Sequence, residues 1–155
     1  MKYEAKEAGY KVLEISSAAF GNNEHIPAKY TCEGINVNPP LSFGAFPDAA
    51  KCLALIVDDP DAPGGIWVHW VMWNIPLATA IKENDAPGIQ GLNDFHKSQY
   101  NGPCPPSGRH RYFFKVYALD TTLELPAGSG KSQLEKSMTG HIVAYGELQG
   151  YYSRK

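Results

Sequence analysis

Apolar residues along the chain gather into a few runs with the two-residue period of strands, separated by stretches rich in turn formers. Leu53–Val57 (LALIV), preceded by Cys52, is continuously apolar and too short for an independent helix, which predicts a strand buried on both faces. Trp67–Ile75 alternates: strict period-two geometry puts Trp67, His69, Val71 and Trp73 on one face and Val68, Trp70, Met72 and Asn74 on the other. His110–Leu119 also alternates, sending His110, Tyr112 and Phe114 one way and Arg111, Phe113 and Lys115 the other. Ile142–Tyr152 reads as a closing strand in which Gly146 and Gly150 mark a bulge or a close backbone approach. Val12, Leu13 and Ile15 open the first strand, and residues 1–10 read as an N-terminal arm or edge strand.

One segment has the other period. Ser132 and Glu135 match a capping box, Leu134 and Met138 stand four apart, and Gly140 occupies the place of a C-terminal glycine cap, so a helix is predicted over 132–139. Between these elements, residues 19–43 hold Gly34, Asn36, Asn38, Pro39 and Pro40, which cannot sustain a helix; His25 there reads as a surface histidine. Residues 76–99 read as a surface loop with one helical turn near 78–84, and 123–125 as a short extended piece.

Fifteen glycines and twelve prolines in 155 residues strengthen the β-rich reading, and the length suits one domain spanning 1–155 with a real core. A net charge of -2 with no basic run argues against a nucleic-acid partner, and no apolar stretch is long enough for a membrane span or signal peptide, which makes the cytoplasm the expected location. Cys32, Cys52 and Cys104, an odd count without zinc-type spacing, are expected to be reduced thiols.

The chemistry concentrates in two proline-stiffened turns. In DPDAP, Pro60 and Pro63 fix the backbone so that Asp59 and Asp61 are offered from one rigid loop leading to Trp67 and His69. In YNGPCPPSGRHRY, Gly102 lets backbone approach a ligand, its free N–H groups could form an anion nest, and His110 and Tyr112 follow. Three kinds of site fit these residues. A metal site lacks pre-arranged ligand spacing, and neither a metal nor another cofactor is assigned. A hydrolase would use His69 or His110 as base with Cys104 or water as nucleophile. The third is an oxyanion pocket, in which two ionised aspartates beside two neutral histidines would repel phosphate, so that a proton must be held on a histidine or a carboxyl. Alternatively a zwitterion would set its ammonium against an aspartate with Trp67 as a cation-π wall.

The set DPDAP, then HW, then GP-PP-G-HRY, together with AFGNNEHIPAKYTCEGINVNPPLSF and MTGHIVAYGELQGYY, resembles the phosphatidylethanolamine-binding proteins, also called Raf kinase inhibitor-like proteins, and most closely their short bacterial and archaeal branch. The resemblance covers about Leu13 to Tyr152. It implies a mainly β fold, an antiparallel β-sandwich with a few short peripheral helices. It also implies a pocket for phosphate-like anions or phospholipid head groups formed by Asp59, Asp61, Trp67, His69, His110 and Tyr112, with Pro63 and the Gly102 backbone lining the opening. No catalytic residue is assigned on this reading. A kinase or protease to inhibit, a scaffold role and a homodimer are the further expectations it carries.

Overall fold

The computed structural model describes residues 10–154; the predicted N-terminal arm falls almost wholly outside them. The protein is mainly β. Its large sheet is built on β5 (Cys52–Asp59), β6 (Trp67–Pro76), β9 (His110–Leu119) and β10 (Ile142–Tyr152). The strand order is β1-β10-β9-β5-β6-β8, with β1 (Lys11–Val12) and β8 (Ile89–Gln90) at the edges and β3 (Glu24–His25) also on β10. Pairing among the long strands is antiparallel, whereas β1 and β3 run parallel to β10. A second sheet of β2 (Ile15–Ser16), β4 (Leu41–Phe43) and β7 (Ala80–Ile81) packs over one face of the first.

β5 carries out the pattern its sequence predicts. Leu53, Leu55 and Val57 point toward the small sheet and meet Leu41, Phe43 and Ile81, while Ala54 and Ile56 point the other way and meet Val71, Trp73 and the helix. That helix, α1 (Lys131–Met138), covers the second face with Leu134 and Met138, both fully buried and each contributing about 1.5–3 kcal/mol of burial. Its N-cap is Gly130, whose N–H donates to Oε1 of Gln133 at 2.6 Å, so the cap sits two residues before the predicted Ser132. Gly140 has φ +84°, a left-handed conformation that suits its role after the helix end.

Four expectations change. Residues 78–84 form no helical turn, because Ile81 is buried and pairs with Leu41 in extended geometry. Residues 123–125 form no strand; the Asn74 side chain stands in for a strand partner, accepting from Leu123 N at 2.8 Å and donating to its carbonyl at 2.9 Å. Cys32 and Cys104 are not thiols but a disulfide, with Cα atoms 5.4 Å apart across 72 residues of sequence. Only Cys52 is free, buried with its Sγ on the Thr121 carbonyl.

The fourth change matters most for function. Along β6 the alternation breaks: Val57 pairs with Trp70 and the next residue, Asp58, with Val68, leaving His69 as the extra residue of a bulge. Val71 and Trp73 consequently lie on the helix side with Val68, whereas Trp70 and Met72 face the small sheet. His69 does not share a face with Val71 and Trp73. The bulge instead aims it toward Tyr112.

Candidate anion-binding site

At the end of the large sheet where β5 and β6 meet the start of β9, a cavity of about 290 Å³ opens. Asp59, Pro63, Trp67, His69, His110 and Tyr112 all line it. β9 delivers His110 and Tyr112 two residues apart, and the rings stack at 6.5 Å with a 23° interplanar angle. His69 comes from the bulge of β6 and meets Tyr112 edge-on at 5.3 Å.

Asp59 and Asp61 part ways. Asp59 is 3% exposed; its Oδ2 faces Nδ1 of His110 at 2.7 Å, and its Oδ1 accepts the Asp61 N–H at 2.7 Å. Because the carboxylate only accepts, His110 carries its proton on Nδ1 and turns Nε2 as its remaining ring nitrogen. Asp61 does not line the cavity. It grips Arg111 through the backbone N–H at 2.9 Å, Nε at 2.9 Å and a terminal guanidinium nitrogen at 2.8 Å, pinning the DPDAP turn to β9. Those hydrogen bonds from Arg111, outweighing partial desolvation, hold the Asp61 carboxyl down at about 2.

Gly102 is likewise structural. Its N–H donates to Oδ1 of Asn36 at 2.8 Å, so it is not open to a ligand, and a Cβ there would sit 2.0 Å from the Tyr30 carbonyl oxygen. The close approach locks residues 100–104 onto residues 30–36, reinforced by Cys32 N on the Pro103 carbonyl, Tyr100 Oη on the Tyr30 carbonyl, and the disulfide. Cys104, Pro105 and Pro106 then form one wall of the cavity.

Phe95 is a lining residue that the sequence reading passed over, in the segment taken for a surface loop. Buried Asn93 holds that segment in place: its amide donates to the carbonyls of His69 and Gln99 and to Asn101 Oδ1, and its Oδ1 accepts from the N–H groups of Phe95 and Lys97. Phe95 meets Trp67 at 5.6 Å and His69 at 5.3 Å, both edge-on. Asn93 in LNDF was the available signal, since a short amide side chain commonly organises its own loop.

Burial lowers the His69 pKa, more than the Asn101 and Gly102 backbone and the Asp59 and Asp58 carboxylates raise it. The Tyr112 hydroxyl is buried and makes no hydrogen bond of good geometry, although the Cys104 backbone and the Asp59 side chain both act on it. Burial first and the Asp59 carboxylate next push its pKa far above the ordinary phenol value, so it stays a donor.

A family model described as phosphatidylethanolamine-binding protein matches residues 16–153. The chain belongs to the phosphatidylethanolamine-binding protein family. A UPF0098 protein of Pyrococcus horikoshii is 56% identical, the alignment covering 92% of this chain and 77% of that protein. One from Methanothermobacter thermautotrophicus is 47% identical, with 92% and 99% covered. Among solved structures, a phosphatidylethanolamine-binding protein homolog from Chlamydia trachomatis superposes with a TM-score of 0.90 at 41% identity, covering 94% of this chain and 99% of that one. YbcL of Escherichia coli, described as a member of the mammalian family, gives 0.85 at 30% identity, with 92% and 99% covered. In this phosphatidylethanolamine-binding protein family member, no group of three or more metal-ligating side chains converges among the described residues, and no described helix is long and apolar enough to cross a membrane.

Proposed function

We propose that the cavity binds phosphate-like oxyanions, including the phosphoryl part of phospholipid head groups, and that the protein acts as a binding protein. The observation that carries this reading is the Tyr112 hydroxyl, a buried donor without a hydrogen bond of good geometry, in a cavity bordered by two histidines. A buried polar group left unpaired costs about 1–3 kcal/mol, a cost that a ligand oxygen would relieve. The surrounding apolar wall of Trp67, Phe95, Pro105 and Pro106 strengthens any such hydrogen bond by excluding water.

Titration calorimetry with inorganic phosphate tests it on wild type and Tyr112→Phe. Removing an unpaired hydroxyl should leave stability unchanged or raise it by about 1 kcal/mol, while phosphate affinity falls about tenfold. No binding heat in wild type, or equal affinity in both proteins, would sink the proposal.

A second reading rests on the Asp59–His110 hydrogen bond, which also orients a general base. Cys104 cannot serve as its nucleophile, since its sulfur is bonded to Cys32, so a hydrolase here would use water. Turnover of a phosphate or carboxylate ester that disappears in His110→Ala would favour it.

A further inference from the structure

β5 ends in two aspartates that point to opposite faces of the large sheet. Asp59 lines the cavity described above, whereas Asp58 lines a separate one of about 300 Å³. The alternation of β9 sends Arg111, Phe113 and Lys115 to this second face, and α1 adds Lys131 from its first turn. Nζ of Lys115 donates to Oδ2 of Asp58 at 3.1 Å, and Nζ of Lys131 donates to the same oxygen at 2.9 Å. Two cations thus converge on one atom.

The convergence is unbalanced. The Asp58 side chain is 2% exposed and each lysine side chain 14%, so among the described residues the shielded part of the cluster holds two positive charges against one negative. Like charges held close together and away from water repel strongly. Each ammonium also carries three hydrogens, of which Asp58 accepts one from each. The other charged groups of the lining do not correct the excess. Arg111 is held by Asp61, and Glu147, opposite Lys115 on β10, is exposed, where water screens it. Pro60, Ile66 and Phe113 make up the rest of the wall, and Ile66 is 53% exposed.

We infer that this second cavity binds small organic monocarboxylates, the carboxylate bridging the ammonium groups of Lys115 and Lys131 and an apolar body covering Ile66 beside Pro60 and Phe113. Both ammonium groups lie within hydrogen-bond distance of one oxygen, hence near enough to each other for a single carboxylate to touch both. One negative charge balances the cluster, whereas a dianion would overshoot it and meet Glu147. Covering Ile66 adds apolar burial that an inorganic ion does not supply. The two cavities have no lining residue in common, so this site stands or falls independently of the oxyanion reading.

Benzoate, benzamide and inorganic phosphate separate the possibilities near about pH 8, where the first is a monoanion, the second its neutral analogue and the third mainly a dianion. Titration followed by nitrogen-15 amide shifts should show saturable benzoate binding at Lys115, Lys131 and Ser132. Its affinity there should exceed that of benzamide and of phosphate at least about tenfold, the equivalent of one charge-assisted hydrogen bond. Lys131→Met and Lys115→Met should each bring benzoate down to the benzamide level; either variant leaves Asp58 one lysine partner and so keeps the fold. Glu147→Gln should tighten benzoate by about twofold. Benzamide or phosphate within about threefold of benzoate, no saturable shift at these amides, shifts confined to His69 and Phe95 in the other cavity, or undiminished affinity in both lysine variants would overturn the inference. If neither lysine variant folds, the wild-type comparison of benzoate with benzamide at Lys131 and Ser132 decides alone.

Discussion

Breaking the Cys32–Cys104 bond should destabilise the protein chiefly through its unfolded state. The bond closes 72 residues of sequence, and the chain-entropy relation for a loop of that length gives about 4 kcal/mol. Non-covalent ties between the same segments do not reduce this figure, because Gly102 N on Asn36, Cys32 N on Pro103 and Tyr100 Oη on Tyr30 form in the folded state with or without the bond. At about 2–4 °C per kcal/mol for a chain of this size, the melting temperature should fall by about 8–16 °C. Guanidinium unfolding of oxidised wild type, Cys32→Ser, the double variant with Cys104→Ser, and wild type under reductant is the assay. The last three should coincide, and their m-values should exceed that of oxidised wild type, since an unbridged denatured chain exposes more surface. Thiol titration in denaturant without reductant should count one cysteine, Cys52. Three titrating thiols, or a stability loss below about 1 kcal/mol, would refute the reasoning.

Two further outcomes follow from contacts on either side of the site. Asp61, held at about 2 by Arg111, has a folded pKa below its unfolded value, so its contribution is full above about pH 4 and is lost as pH falls toward 2. Arg111 is half exposed, which limits the effect to about 1 kcal/mol; denaturant midpoints at about pH 5 and 2.5 should show that increment in wild type and lose it in Asp61→Asn. Gly146→Ala would put a Cβ 1.8 Å from the Leu13 carbonyl oxygen and force β1 away from β10, costing about 2–3 kcal/mol. Slow hydrogen exchange at the Leu13 amide, which donates to the Tyr145 carbonyl at 2.8 Å, should be lost; retained protection at unchanged stability would contradict the close approach.

The four long strands were legible because each gathers mostly apolar residues in one run against a core on both sides, even where, as in β6, the period itself breaks. What escaped was set by contacts remote in sequence. A bulge at His69 exists because β5 and β6 change register between Val57 and Asp58, and nothing within WVHWV shows that step. The disulfide escaped for a similar reason: spacing of 72 residues says nothing about proximity, which comes from Gly102 packing on the Tyr30 carbonyl. Phe95 looked like part of a polar excursion because the residue that orders it, Asn93, works through five side-chain hydrogen bonds with atoms of its own loop and of His69. The short strands β7 and β8 fall in that same stretch, two residues each, too brief for any periodicity to register.

The resemblance drew eight residues to one place, and the geometry separates them by task. Asp61 and Gly102 are spent on protein partners, the first on Arg111 and the second on Asn36, and so they fix the two turns. Asp59 is spent on His110 and fixes which nitrogen of that ring carries its proton. His69 is fixed in the same way by the Asn101 carbonyl, but from a bulge that turns it toward the cavity. Each histidine thus has one nitrogen committed, by a carboxylate in one case and a carbonyl in the other, while the Tyr112 hydroxyl makes no hydrogen bond of good geometry. A cavity in which every polar group were satisfied would gain little by binding anything, and one with several unsatisfied groups would weaken the fold. Here the Tyr112 hydroxyl is the buried polar atom left open within an apolar wall, and the oxyanion reading rests on that donor more than on the net charge of the turns.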